Sequence, residues 1–240
     1  MILEQGYIIK KKATIRQEES YTMRLVEAKE INAIMNLQHK VYEGLPNKQV
    51  LYKDTRQEML EDLSNGAMVI GVYNSQEQLI SYRYISFPGH SLKNLGNDIH
   101  LDNSELDRVV HLETTLVSPD YRGNKLQAIT LSKAIELIKP LEMKHLICTV
   151  SPYNLFSLYN IMSAGLNIKS LKRKYASKEL DGMWRFILHK DMSKSFSIEN
   201  SELKMLKMDK IFEQKNLIEK GYVGYNLIKD SQMIQYSLSQ

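Results

Sequence analysis

The sequence holds a single cysteine, Cys148, so no disulfide can form within the chain and a reducing cytoplasm is the expected compartment. No apolar run approaches the ~18 residues that a membrane helix needs, so no membrane partner is expected. The opening stretch, MILEQGYIIKKKATIRQ, places its basic cluster after short apolar runs, the reverse of a secretory leader. Charge of one sign is also missing: 32 basic residues stand against 28 acidic ones, for a net charge of +4. That excess is too small to demand a polyanion, although it suits one phosphorylated cofactor. Neither G-x-x-x-x-G-K-[ST] nor G-x-G-x-x-G occurs, which removes the P-loop and the dinucleotide fingerprint. Internal repeats and low-complexity tracts are absent as well.

What is present is an ordinary globular composition, 43% hydrophobic and 25% charged, over 240 residues, which predicts one large core with appended elements. Residues 1–21 are polar and partly alternating, compatible with an extra strand or a loose extension. YTMRLV reads as a strand, EAKEINAIMNLQHKVYEGL as a helix with Ile31, Ile34, Met35, Val41 and Leu45 at helical spacing, and TRQEMLEDLSNG as a shorter helix closed by Gly66. AMVIGVY and LISYRYISF, split by NSQEQ, read as a β-hairpin. Residues 87–107 carry loop signals with one helical turn, and a loop of that length is often functional.

The strand VVHLETTLV follows, then a turn, then a helix with Leu126, Ile129, Ala134, Leu137, Ile138 and Leu141 on its apolar face, running to Pro140 and beyond. HLICTV reads as a buried strand, 155–164 as a helix ended by Gly165, and IKSLKRKYA with MWRFILHK as a second hairpin. Strand, helix, strand, helix is an α/β crossover pattern, and the hairpins around it make the sheet mixed. In the last stretch, LKMLKMDKIF fits an amphipathic helix and YVGYNLI a short strand. KSLKRK, at 169–174, has no interleaved aromatic platform and reads as a solvated strand edge rather than a nucleic-acid patch.

The junction VSPDYRGNKLQ carries the sharpest chemical signal. A helix start leaves backbone amides without intrahelical partners and adds partial positive charge, and phosphate suits that position. Arg122 and Gly123 precede the start, and Gly123 permits close approach of the backbone to a ligand. The alternative is a plain turn whose helix is capped by Asn124.

The succession Val117, Pro119, Arg122, Gly123, a helix, a buried strand, then Asn154 and Gly165 resembles the GNAT superfamily of N-acetyltransferases. In that family a strand ends in V-x-P, an R/Q-x-x-G-x-G/A turn cradles the pyrophosphate of acetyl-CoA, and an N-x-x-A-x-x-L-Y-x-x-x-G-F helix follows. The resemblance implies an α/β fold with a mixed central β-sheet flanked by helices, spanning 22–191. An N-terminal extension (1–21) and a C-terminal accessory helix and strand (192–240) would complete the chain. It implies acetyl-CoA as acyl donor, held by Leu116, Val117, Arg122, Gly123, Asn124, Lys125, Leu126 and Gln127, with Asn154 and Ser157 as hydrogen-bond partners; capping is the alternative role for Asn154. RGNKLQ departs from the family turn, because Lys125 and Gln127 replace small residues. The expected backbone at Lys125 is right-handed helical, where a Cβ is allowed and the amides of Asn124, Lys125 and Leu126 still face phosphate.

Amine acetylation needs a base for an ammonium of pKa ~10, donors for the oxyanion and an exit for the thiolate. Alternation along VVHLETTLV puts His111, Glu113, Thr115 and Val117 on one face. Glu113 is the favoured base and His111 the second, with a structural His–Glu pair as the alternative. Two such groups are too few for a metal site, so no metal is expected. The family's acid tyrosine falls on Ile161, and Tyr159, the nearest tyrosine, lies about 200° around the helix from it. Either Tyr159 or another group protonates the thiolate, or a thiol of pKa ~8.5 leaves unaided. Cys148, Trp184 and Tyr175 read as core residues, although the two aromatics could line an acceptor site. The reading is direct acetyl transfer to a primary amine on a small molecule or peptide, and the alternative is a non-catalytic acyl-CoA-binding protein. The C-terminal segment would shape the acceptor side or form a homodimer interface.

Overall fold

The computed structural model describes residues 1–12, 15–176, 181–194, 196–197 and 202–238. They fall into two compact units. Unit 1 comprises Met1–Lys48, Lys53–Phe87 and Leu112–Glu142, and unit 2 comprises Gln49–Tyr52, Pro88–His111 and Met143–Gln240.

Unit 1 opens with two strands, β1 (Ile2–Lys12) and β2 (Ile15–Leu25), paired antiparallel from Ile2↔Arg24 to Lys12↔Ile15. The first segment is therefore a strand and not a loose extension. Its alternation is blurred because both faces are largely exposed, Ile8 being the buried exception. Helix α1 (Ile31–Glu43) buries Ile31, Ile34, Leu37, Gln38 and Val41 on one stripe. Helix α2 (Arg56–Ser64) starts with a capping box in which Thr55 and Glu58 satisfy each other's amides. The hairpin β3 (Met68–Asn74) and β4 (Leu79–Ser86) follows, then β5 (Val109–Val117) and helix α3 (Leu126–Ile138). The strand order in this unit is β1-β2-β3-β4-β5. Met23, Ile34, Met59, Ile70 and Ile85 are fully buried, each contributing ~1.5–3 kcal/mol of apolar burial. Helix α3 is shorter than its apolar pattern suggested: a 3-10 turn over Lys139–Leu141 contains Pro140, and Leu141 is 44% exposed.

In unit 2, Val109–His111 of β5 pairs in parallel with His145–Ile147 of β6 (His145–Val150). Helix α4 (Leu155–Ser163) follows, then β7 (Asn167–Lys174), β8 (Met183–Asp191), β9 (Lys204–Lys207), α5 (Ile211–Glu219), β10 (Tyr222–Ile228) and β11 (Met233–Leu238). The strand order is β6-β8-β7-β10-β11-β9. The long loop before β5 is stitched by Asn94, whose amide donates to the carbonyls of Gly89 and Leu106 and accepts from Gly96 N–H. Leu95 of that loop packs with Val109, Ile147 and Ile187.

Two readings of the C-terminal part need correction. LKMLKMDKIF is not one helix. Lys204–Lys207 is a strand with only Leu206 turned partly inward, and the helix begins at Ile211 after a turn in which Lys210 N–H bonds to Lys207. The fully buried Gln214 fixes this break, donating to the Lys207 carbonyl and accepting from Tyr236 O–H. MIQYSL forms a further strand, β11, that the sequence reading did not include. Beyond Ile168 the only strand registered against KSLKRK among the described residues is β8, and of its residues only Leu171 is buried. Strand β10 meets β7 at Gly224↔Ile168, where a Cβ on Gly224 would sit 3.0 Å from Ile168 Cδ1. Among the described residues no helix is long and apolar enough to cross a membrane.

Candidate active site

After β5 the chain makes one 3-10 turn, Pro119–Tyr121, before Arg122 returns to extended backbone. Gly123 then takes φ +88 and Lys125 takes φ 57, ψ 18, both left-handed. Lys125 is therefore not in the right-handed geometry expected of it; it holds the conformation a glycine holds most easily, against steric repulsion of ~1–2 kcal/mol at its Cβ. Lys125 is the N-cap of α3 and makes no side-chain cap bond. Asn124 does not cap the helix either. Its Oδ1 accepts from Ile9 N–H at 2.8 Å, and its Nδ2 donates to the carbonyls of Ile9 at 2.7 Å and Tyr121 at 2.9 Å, tying the turn to β1.

The same hairpin brings in a cation that the sequence reading missed. Lys11 Nζ lies 2.7 Å from where a Gly123 Cβ would be. Lys11 thus joins Arg122 and Lys125, all three exposed, at a helix start whose N-cap residue makes no side-chain cap bond. Beneath it the buried Arg83 donates from Nη2 to the Gln127 carbonyl at 3.0 Å, fixing the first turn of α3 on β4. Leu116 precedes the turn, and its carbonyl accepts from Ser81 O–H at 2.8 Å. Ser118 N–H continues the ladder to the Ile80 carbonyl at 2.8 Å, so Val117 ends a well-anchored strand.

On β5, Glu113 is half-buried and accepts from Ser86 O–H at 2.8 Å. A second carboxyl, Asp54, stands just before α2. Gln38 of α1 clamps its backbone, accepting from Asp54 N–H at 3.1 Å and donating to its carbonyl at 2.8 Å. Asp54 Oδ2 is shut off from solvent and, like Thr115 Oγ1, has no hydrogen-bond partner among the described residues. Burial is the main reason that the Asp54 carboxyl is pushed up to about 7; a hydrogen bond from Thr114 opposes the shift and the Glu113 charge adds to it. Tyr84 donates to Asp62 nearby, and its phenol is raised first by burial, then by Asp62, Glu113 and Asp54. This patch of unit 1 therefore holds two half-buried carboxyls, Glu113 and Asp54, with no cation hydrogen-bonded to Asp54 among the described residues. No sequence motif marks Asp54, whose depth is set by Gln38 and β5.

The remaining predicted residues lie in unit 2. His111 is 4% exposed and its Nε2 accepts from Leu95 N–H at 3.0 Å, so that nitrogen is engaged within the loop packing. Asn154 caps α4, accepting from Ser157 N–H at 3.1 Å. Ile161 is buried, whereas Tyr159 is 38% exposed with Lys229 Nζ 5.4 Å from its ring centroid. Cys148 is buried on β6. The basic residues of β7 are largely committed: Lys172 and Lys174 bind Asp98 at 3.1 and 2.6 Å, and Arg173 faces Asp181 at 3.5 Å.

No protein-family model matches the chain. No curated protein matches it at a significant level. Solved structures do match in fold. A GNAT-superfamily phosphinothricin acetyltransferase from Sinorhizobium meliloti in complex with AcCoA aligns with a TM-score of 0.53, covering 73% of this chain and 92% of that one at 16% identity. A ribosomal-protein-alanine N-acetyltransferase from Brucella melitensis gives 0.54, 71% and 99% at 15% identity. An acetyltransferase of the GNAT family from Streptococcus pneumoniae gives 0.53, 72% and 99% at 15%. The chain has the GNAT fold, with the mixed α/β sheet that the resemblance implied.

Proposed function

We propose that the chain is an N-acetyltransferase that takes its acetyl group from acetyl-CoA and passes it to a primary amine by direct attack. The observation that carries this reading is the start of α3, a helix N-terminus without a side-chain cap, entered through left-handed Gly123 and Lys125, with Arg122 in the turn and Lys11 Nζ beside Gly123. The residues fit a pyrophosphate. The amides from Gly123 to Gln127 would hold its oxygens, the three cations would neutralise it, and the backbone of Leu116 and Val117 would carry the pantetheine arm.

Acetyl-CoA, when bound, supplies a thioester whose thiol has a pKa of ~8.5, so the thiolate can leave without a dedicated acid. Glu113 takes the proton of the attacking ammonium. Asp54, held near neutrality by burial, is the carboxyl that gains and loses a proton at working pH, and it supports Glu113 as a second acceptor. His111 is set aside as base because its Nε2 is bonded to Leu95.

The second reading, a protein that binds acyl-CoA without turnover, is favoured by the buried Ile161 at the position of the family tyrosine. Calorimetric titration with acetyl-CoA, followed by thiol-release assays against a panel of primary amines, separates the two. Micromolar binding with amine-dependent thiol release supports the enzyme, and binding without release supports the binding protein. No binding overturns both.

A further inference from the structure

A buried cation in unit 2 has no acid partner among the described residues. Arg185 stands on β8 opposite Lys172 of β7 and is 3% exposed. Its Nη1 donates to the Trp184 carbonyl at 2.9 Å and its Nη2 to the Met183 thioether at 3.3 Å, and among the described residues no carboxylate reaches it. The nearby lysines cannot lend it one, because Lys172 and Lys174 already share Asp98. Burial holds the guanidinium below its ordinary pKa, with the Tyr175 phenol partly opposing that shift.

Buried charges in folded proteins are normally paired, since removing an ion from water is compensated only by a counter-charge with good geometry. The aromatic face of Tyr175, with its centroid 5.4 Å from Arg185 Cζ, offers a weaker interaction than a carboxylate would. Tyr175 is itself held in place. It takes φ 63, a strained value for an aromatic residue, shares a hydrogen bond with Thr149 Oγ1 at 2.8 Å, and stacks on Tyr52 with centroids 4.2 Å apart and planes 9° from parallel.

We infer that Arg185, with the hydroxyls of Thr149 and Tyr175, forms a binding site for a small organic carboxylate, walled by the stacked rings of Tyr52 and Tyr175. A planar guanidinium with donors to spare matches a carboxylate, and one positive charge balances one negative charge. A phosphate dianion would bring charge that Lys172 and Lys174, already on Asp98, do not neutralise. The carboxylate belongs either to a free acid or to the amine acceptor itself.

The test is thermal unfolding of the full chain with graded acetate, glutarate, benzoate and inorganic phosphate. Wild type is expected to show saturable stabilisation by the carboxylates above that by phosphate, and Arg185→Met to lose it, with at least about tenfold weaker binding. Equal shifts in the two proteins, or phosphate matching the carboxylates in wild type, overturn the site. Should Arg185→Met fail to fold by circular dichroism, the near-isosteric Thr149→Val replaces it. Several-fold weaker glutarate binding then supports the site and unchanged binding overturns it. This arm does not depend on acetyl transfer.

A second arm, resting on the proposed function, compares an ω-amino acid with an alkylamine of equal length as acceptors. A preference for the amino acid that collapses toward unity in Arg185→Met assigns the carboxylate to the acceptor. Stabilisation by glutarate without such a preference assigns it to a free acid.

Discussion

The starts of α3 and α4 are both entered from a strand, yet they treat their amides in opposite ways. At α4 the side chain of Asn154 accepts from Ser157 N–H, closing the end as Thr55 closes α2. At α3 the polar residue nearest the end, Asn124, is turned away onto Ile9, and the N-cap is a lysine in left-handed backbone with no side-chain cap. Two aspartates repeat the contrast. Burial pushes Asp98 up, but Lys174 and Lys172 outweigh it and hold the group below the usual carboxylate range. Asp54 is pushed up to about 7 with no such cation hydrogen-bonded to it among the described residues. A protein that satisfies its polar groups in one place and leaves them over in another marks the second place for a ligand or a proton.

Removing the leftover carboxyls should have the largest effect. In Glu113→Gln combined with Asp54→Asn, kcat/KM for amine acetylation should fall by about 10²–10⁴, the range of a lost general base, with the acetyl-CoA Kd changed little. Steady-state thiol release beside calorimetry checks it, and retained turnover would sink the base assignment while leaving the cofactor reading intact.

Next comes the pH dependence of stability that separates Asp54 from Asp98. Asp54 is raised from 3.8 to about 7 on folding, so the folded state binds the extra proton between those values. Its contribution is thus most favourable below pH 4, declines as pH rises to 7, and is level above that. Asp54→Asn should abolish that decline and leave the protein more stable than wild type at pH 8 by on the order of a few kcal/mol. Urea denaturation at pH 5 and pH 8 measures it, and a variant weaker than wild type at pH 8 would contradict the desolvated carboxyl. Smaller still are the cations at the open helix start. Lys11→Ala and Arg122→Ala should each raise the acetyl-CoA Kd about three- to tenfold and reduce its salt dependence, on the order of 1 kcal/mol apiece.

Most of the core strands were legible in the sequence, and VVHLETTLV maps onto Val109–Val117 because it is a β-branched run bounded by turn residues, although its first four residues are buried on both faces. The first hairpin was ambiguous because exposure on both faces erases alternation. The β9–α5 break was invisible because the Met/Lys pattern satisfies a helical and a strand period alike, and a long-range amide, Gln214 onto Lys207, decides between them. At the candidate site, Gly123 and the turn could be read, whereas the left-handed Lys125 and the depth of Asp54 could not. Both depend on partners distant in sequence: Asn124 is fixed by Ile9, and Asp54 by Gln38.

The finest test of the contrast sets Asn154→Ala against Lys125→Gly. Asn154→Ala removes a cap and should cost about 1 kcal/mol of stability. Lys125→Gly relieves a left-handed side chain worth ~1–2 kcal/mol, offset by the greater freedom of glycine in the unfolded chain by roughly 0.5–1 kcal/mol, so it should be neutral or slightly stabilising. Its effect on acetyl-CoA discriminates the two ways the turn can work. If the amides of the open start hold the pyrophosphate, the glycine keeps them in place and calorimetry should return a Kd within about twofold of wild type. A tenfold loss, about 1.4 kcal/mol, would mean that the Lys125 ammonium carries the binding, and that the left-handed turn serves to present a side chain rather than to bare a helix end.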